Sequence, residues 1–416
     1  MPLSDELADE ARRQFTICNA CRYCEGYCPV FVALERSPVW SNDRIEHLAH
    51  LCHDCRGCYY ACMYAPPHAF AVNIPQLFQE VRLLRYEGAP GGIRRSGGAA
   101  HPPERPTGTE TGRSPVEVAV RSGRRAARRA IGTTALTYLV VGALVTVVAG
   151  AVRGLGAVWQ VRHGATSPYA IIPDGALVAV SLAIALFAVV AVALRARRAW
   201  RATATVALGA RRREILRAAL ADAAALRQLH GGGPGCHAER DVVGRGRKRL
   251  HGFVSVGFSL CLASTISAAV EQDVAGVLPP YPLASPPVVL GLVGGVLLAA
   301  GCIGLSYTKL RADRAPASSA MLVRDYGLLA SLGFIALSGL GTFAARTSAG
   351  YGVALLIHLA AVLSLFALAP FSKLTHAVYR TIALVVENAE VAAEQAGTLG
   401  PPPAEAEPIR TTLSTS

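Results

Sequence analysis

No Gly-x-Gly-x-x-Gly run occurs anywhere in the 416 residues. That fingerprint seats a dinucleotide's pyrophosphate on a helix N-terminus, so flavin or nicotinamide chemistry is not expected on this chain. No soluble stretch is large enough for a substrate domain, which argues against a fused enzyme acting on a soluble substrate. The segment Met1 to Glu10 is acidic and lacks an apolar core, so it does not read as a secretory signal. Acidic residues are scarce, 28 against 41 basic ones, and the formal net charge of +13 is almost wholly arginine. No acidic residue is expected deep inside an apolar stretch, which argues against a proton-coupled transporter. Charged residues make up only 17% and hydrophobic ones 52%, a balance that points to membrane spans. A basic surplus suits nucleic acid or anionic lipid; the apolar content selects the lipid bilayer, and no nucleic-acid partner is expected.

Cysteine is where the chemistry gathers, with eight of the eleven in one short run. Cys18-x2-Cys21-x2-Cys24-x3-Cys28-Pro29 is followed, with 23 residues between Cys28 and Cys52, by Cys52-x2-Cys55-x2-Cys58-x3-Cys62. A doubled run of this spacing is the ligand pattern of two [4Fe–4S] clusters, in which the fourth cysteine of each run serves the other cluster. One cluster is therefore expected on Cys18, Cys21, Cys24 and Cys62, and the second on Cys52, Cys55, Cys58 and Cys28. Zinc sites normally use two cysteine pairs across a longer spacer, and a disulfide framework belongs to a secreted chain. The thiols also place the run in a reducing compartment, a bacterial-type cytoplasm. His47, His50, His53 and His68 crowd the runs, as hydrogen-bonding neighbours of sulfur or as plain surface groups. Arg22 and Arg56 sit inside the runs. Positive charge there would raise a cluster's potential; the plain alternative is a solvated surface side chain.

Residues 1–86 read as a small helical domain, with helices expected over Asp5 to Phe15, Phe31 to Leu51 and Gln76 to Tyr86. Residues 87–130 are rich in Gly, Pro and Arg and read as a linker. Its end, Arg121 to Arg129, carries five arginines just before the first apolar span, a place that suits a membrane surface. Six apolar stretches follow, at about 131–152, 172–194, 252–271, 287–308, 325–345 and 350–371, each long enough to cross a hydrocarbon core as a helix. With an inside N-terminus, inside loops 195–250 and 309–324 hold 14 and 4 Lys plus Arg, and outside loops 153–171, 272–286 and 346–349 hold 2, 0 and 1. The bias predicts a multi-pass protein of the inner (cytoplasmic) membrane, with both termini and the cluster domain cytoplasmic. The membrane domain is expected to span 131–386, with a helical insert at 195–250 and a disordered tail at 387–416. The insert ends in Gly231 to Gly235, which reads as a helix terminator and flexible loop rather than a phosphate or flavin cradle, and in Cys236-His237, which as a metal pair lacks partners.

Imidazoles in spans are rare and usually functional. His251 opens span three, His358 lies inside span six, and His376 follows its end. His251 and His376 at one membrane depth are the ligand set for a b-type haem. His358 would share a face with His376 only if the helix continued past Pro370. At the depth of His358, span three offers Cys261, a poor partner for a second haem, so a quinone pocket or a helix–helix hydrogen bond is the other reading of His358. Gly257, Gly291, Gly294, Gly295 and Gly304 allow close helix packing or a porphyrin, and helix packing is the leading reading.

These motifs together carry a resemblance. The doubled cysteine run, Leu229 to Cys236, Arg249-Leu250-His251-Gly252-Phe253, Cys261 to Thr265, Tyr281-Pro282, Asp325-Tyr326-Gly327, His358 and Pro370 to His376 resemble the tricarballylate/citrate-utilisation iron–sulfur membrane proteins (the TcuB/CitB family). The membrane half is similar to CobZ-type proteins and to nitrate-reductase gamma-type haem b subunits. The resemblance implies a mainly α protein: a ferredoxin-like two-[4Fe–4S] helical domain plus a six-helix transmembrane bundle. It further implies a separate FAD-dependent dehydrogenase as partner, haem b, and delivery of electrons to a membrane quinone. Where such haem subunits place a further histidine this chain has Cys261. Lys309, Lys373, Tyr307 and Tyr379 are candidates near the quinone, or interfacial anchors. The rival reading is a redox-gated membrane transporter or sensor.

Overall fold

The structure, a computed structural model, describes residues 3, 5–37, 39–87, 115–154, 156–159, 167–204, 206, 208–209, 211–227 and 246–397. The Gly231 to Gly235 loop, Cys236-His237 and 88–114 of the expected linker lie outside them. The described residues are mainly helical and contain no strand. In chain order the helices are α1 (Asp5–Cys21), α2 (Pro29–Glu35), α3 (Asn42–Leu51), α4 (Gly57–Tyr60), α5 (Ile74–Glu87), α6 (Pro115–Arg153), α7 (Gly156–Trp159) and α8 (Asp174–Thr203). They continue with α9 (Arg212–Ala224), α10 (Gly246–Asp273), α11 (Pro286–Arg311), α12 (Ser319–Ala344), α13 (Tyr351–Leu368) and α14 (His376–Gln395). Two compact units result: Met1–Arg85 with Ala196–Val243 and His376–Ser416, and Tyr86–Arg195 with Gly244–Thr375.

The first unit is built from short amphipathic helices. On α1, Leu7, Ala8, Ala11, Gln14 and Phe15 are buried, a three-to-four-residue recurrence that makes one apolar stripe. Phe15 stacks edge-on to Trp40 at 5.6 Å and lies 5.7 Å from Phe78 of α5. Leu34, Ile45 and Leu48 complete this centre. Helix α3 is started by Ser41, whose Oγ accepts from Arg44 N at 3.2 Å. The core does not close with residues 1–85. Ile215 and Ala219 of α9, and Ala383, Leu384, Val385 and Ala389 of α14, belong to the same buried cluster. Helix α14 thus runs on to Gln395, past Val386, and α6 begins at Pro115, inside the stretch that reads as a linker.

The second unit carries most of six helices long and apolar enough to cross a membrane: Ile131–Arg153, Asp174–Thr203, Gly246–Asp273, Pro286–Arg311, Ser319–Ala344 and Tyr351–Phe371. Helices α10 and α11 touch backbone to backbone. A Cβ on Gly257 would stand 2.5 Å from Leu298 N, one on Gly294 would stand 2.9 Å from Cys261 N, and one on Gly301 would stand 2.8 Å from Val254 N. That contact uses the glycines for helix packing and leaves no space for a porphyrin between these two helices. The last span ends at a proline, which lacks an N–H and clashes with the preceding turn. Helix α13 stops at Leu368, Pro370 lies in a 3₁₀ turn (Ala369–Phe371), and a second turn (Lys373–Thr375) precedes α14. His358 and His376 are therefore on separate helices.

Candidate metal centres

The local structure brings the eight cysteines into two groups. Cys18 and Cys21 lie in the last turn of α1, and Cys24 follows in a tight turn in which Arg22 takes a left-handed φ of 55°. Cys28 is the extended residue that caps α2, and Pro29 fills its first position, where a missing N–H costs nothing. Cys52 ends α3 in extended conformation, and Cys58 lies in α4. One cavity is lined by Cys18, Cys21, Cys24 and Cys62, with Ile17 and Val72 among its apolar walls. A second is lined by Cys28, Cys52, Cys55 and Cys58, against Val30 and Phe78. The fourth thiol of each cavity comes from the other run.

Burial in an apolar pocket disfavours a thiolate. Burial pushes Cys18 up to about 12, and neighbouring Cys62, Cys24 and Cys21 push the same way. Cys58 is raised well above the usual thiol range by burial, then by Cys52, Cys28, Cys24 and Cys18. Cys52 is raised by burial, with Arg82 acting against it. Such a set is costly as bare thiolates and suits a cationic, soft metal group that takes four sulfurs at once. The donors therefore fit an iron–sulfur cluster in each cavity.

The surroundings of the two cavities differ. Arg22 and Arg56 hold equivalent places in the two runs, yet the Arg22 side chain is 58% exposed and that of Arg56 10%. Arg22 Nε donates to Asn19 O at 3.2 Å, whereas Arg56 lines the second cavity. Beside Cys52, Arg82 Nη1 donates to the Cys52 carbonyl at 2.9 Å and Arg380 Nη1 to the Leu51 carbonyl at 3.0 Å. Asp54 lies 4.0 Å from Arg56 Nε and accepts from Gln79 Nε2 at 2.8 Å. His50 stacks on Tyr379 of α14, ring centres 4.9 Å apart. Burial, then Arg82 and His47, pushes His50 down to about 3, so it is neutral near pH 7.

Sequence reasoning missed the part α14 plays here. Arg36 Nη1 meets Glu387 at 3.1 Å and Glu390 at 3.2 Å, and its Nε meets Glu394 at 3.1 Å. His47, Glu387 and Glu390 offer three ligand atoms within 4.8 Å of one another. Two guanidiniums, Arg36 and Arg44, already hold those carboxylates, and their charge opposes a cation there. The signal was present: Glu387, Glu390 and Glu394 recur at helical spacing beside the apolar residues of 383–389.

The membrane histidines are placed as follows. His251 lies in the second turn of α10, its Nδ1 3.2 Å from Ser255 Oγ. His376 is the first residue of α14 and belongs to the first unit, whereas His251 belongs to the second. His358 Nδ1 lies 3.1 Å from Ser338 Oγ on α12, and its ring packs on Gly339, where a Cβ would come within 2.9 Å of Cε1. The helix–helix hydrogen bond is thus the contact His358 makes. Asp325, expected at the edge of a span, is buried in α12, its Oδ2 accepting from Lys309 Nζ at 2.5 Å and its Oδ1 from Lys373 Nζ.

Two four-cysteine cavities in a small helical domain, together with six helices among the described residues long and apolar enough to cross a membrane, define a Fer4-like iron–sulfur protein associated with a membrane. Residues 11–87 match the Citrate utilization protein B Fer4-like domain and residues 123–397 match Citrate utilization protein B. Over 379 residues, 90% of either chain, the sequence is 32% identical to Citrate utilization protein B of Escherichia coli. The chain belongs to the Citrate utilization protein B family. No solved structure matches it.

Proposed function

We propose that this chain conducts electrons from a partner FAD-dependent dehydrogenase, acting on a citrate- or tricarballylate-type substrate, to the membrane quinone pool. The observation that carries this reading is the pair of cavities, each walled by four cysteines drawn from both runs. Cys18, Cys21, Cys24 and Cys62 hold one cluster, and Cys28, Cys52, Cys55 and Cys58 the other. Bound [4Fe–4S] clusters supply one-electron redox chemistry, which divides a flavin's two-electron load. The chain's own residues fix spacing and exclude water: Phe31 walls both cavities, and Val72 and Phe78 wall one each. The citrate-type substrate is inferred from the family to which the chain belongs. The excess of Lys and Arg in loops 195–250 and 309–324 supports a cytoplasmic cluster domain on the inner membrane.

On the sequence reading, His251 and His376 are the residues that would hold one haem b, which would supply a one-electron carrier. A hydroxyl beside one ring nitrogen, as Ser255 stands to His251, is an arrangement that orients a ligating imidazole. An optical spectrum of His376→Ala beside the parent tests this, and an unchanged b-type band refutes it. Against a redox-gated transporter stands Asp325, both of whose oxygens are held by lysines. The conduit is tested by quinone reduction in membranes supplied with the reduced flavoprotein. Cys55→Ser and Cys58→Ser should abolish it, and an undiminished rate would sink the reading.

A further inference from the structure

The two cysteine sets are alike in sequence and unlike in charge. At the first set, the arginine inside the run is turned to solvent: Arg22 is 58% exposed, bonds Asn19 O and lies 4.0 Å from Glu35. At the second set three guanidiniums converge. Arg56, at the equivalent place in the run, is 10% exposed and lines the cavity. Arg82 and Arg380 bond the successive carbonyls of Cys52 and Leu51, at 2.9 and 3.0 Å. Guanidiniums stay charged at any accessible pH. Asp54, 4.0 Å from Arg56, offsets one of the three charges.

Positive charge held near a cluster in a medium of low dielectric favours the reduced, more negative state, and so raises the potential. We infer that Arg56, Arg82 and Arg380 make the Cys28/Cys52/Cys55/Cys58 centre the higher-potential one, and therefore the exit of the pair, with the Cys18/Cys21/Cys24/Cys62 centre as the entrance. This rests on the conduit reading above. Each transfer moves one electron from the first centre to the second, oxidising one and reducing the other, with no bond made or broken. The placement of Arg380 gives the ranking a structural sense. It lies in the first turns of α14, one residue past Tyr379, which stacks on His50. In the chain, α14 follows the last span after two short turns, so the helix that charges the second centre is also the one leading back to the membrane segment. Arg56, Arg82 and Arg380 act through the cluster's surroundings and are positioning residues, not ligands.

The test is a redox titration of the full-length protein in detergent, followed by electron paramagnetic resonance. Cys21→Ser and Cys55→Ser identify which signal belongs to which set. The signal perturbed by Cys55→Ser should have the higher midpoint. Arg380→Gln and Arg56→Gln should each shift that midpoint negative and leave the other signal in place, while Arg380→Lys, which keeps the charge, should shift it less. If Arg380→Gln does not accumulate, Arg56→Gln decides alone. The inference is overturned if the Cys55-dependent signal has the lower midpoint, or if the charge-removing variants leave it unmoved. The readout does not use quinone. The expected ranking without quinone reduction would count against the conduit and leave the ranking standing; an inverted ranking with quinone reduction intact would do the reverse.

Discussion

Arg44 Nη1 holds both carboxylate oxygens of Glu390, at 2.8 and 2.9 Å, across 346 residues of chain. Both side chains are buried, and the other end of Arg44 is fixed by Nη2 donating to Ala33 O at 2.6 Å. This pair clamps α14 onto α3, which ends at Cys52, and onto α2, which Cys28 caps. Glu390→Gln keeps the shape and removes the charge, which leaves a buried guanidinium uncompensated. Breaking one side of such a pair costs about 3–5 kcal/mol. Thermal melting followed through the iron–sulfur absorption should show an early loss of the chromophore in Glu390→Gln. An unchanged melt would mean that α14 is not needed to hold the cluster domain together.

Much of this domain is legible in the sequence, the helical spacing of α14 included, but the docking of α14 is not, for a physical reason. The doubled cysteine spacing is local, and so are the apolar stripes of α1 and the spans. Glu387, Glu390 and Glu394 look like a solvated polar tail because their partners, Arg36 and Arg44, lie some three hundred and fifty residues earlier. Acids at helical spacing are ordinarily exposed, and only the tertiary pairing turns Glu387 and Glu390 inward, while Glu394 stays exposed. Arg22 and Arg56 teach the same lesson. Their sequence settings are equivalent, both take a left-handed φ, and their burial differs because of what surrounds each turn. Asp325 reads as the border of a span; its burial follows from Lys309 and Lys373, on other segments, reaching it.

The crossing of the fourth thiol yields a pairing prediction. Cys62 shares its cavity with Cys18, Cys21 and Cys24, and Cys28 with Cys52, Cys55 and Cys58. Cys62→Ser should therefore disturb the same paramagnetic signal as Cys21→Ser, and Cys28→Ser the same one as Cys55→Ser. If each fourth cysteine instead tracked its own run, so that Cys28→Ser matched Cys21→Ser, the crossed arrangement would be wrong.

Gly257 faces Leu298 N, Gly294 O and Leu298 Cα, all within 2.9 Å of where a Cβ would stand. Backbone cannot move aside as a side chain can, so Gly257→Ala must drive α10 and α11 apart. Overpacking of this kind costs about 1–3 kcal/mol. Gly132, whose Cβ would meet nothing within 4 Å, is the control, and Gly132→Ala should be near neutral. Thermal unfolding of the solubilised protein should separate the two variants clearly. Equal midpoints would show that the α10–α11 contact is looser than the geometry requires.

Asp325 is 5% exposed and balances two ammonium groups, those of Lys309 and Lys373, at the ends of neighbouring segments. Asp325→Asn retains the size of the side chain and leaves two cations facing each other with no anion between them. Removing the charge that compensates a buried pair costs about 3–5 kcal/mol. The variant should unfold earlier in detergent, and adding Lys373→Met should recover part of the loss by removing the repulsion between the lysines. This double variant separates electrostatics from packing, since a purely steric defect gains nothing from losing the second lysine. Quinone reduction measured on the same preparations adds a second axis. If Asp325→Asn lost quinone reduction while its melting temperature stayed at the parent value, the triad would be a working part of the acceptor site rather than the tie between segments that its geometry describes.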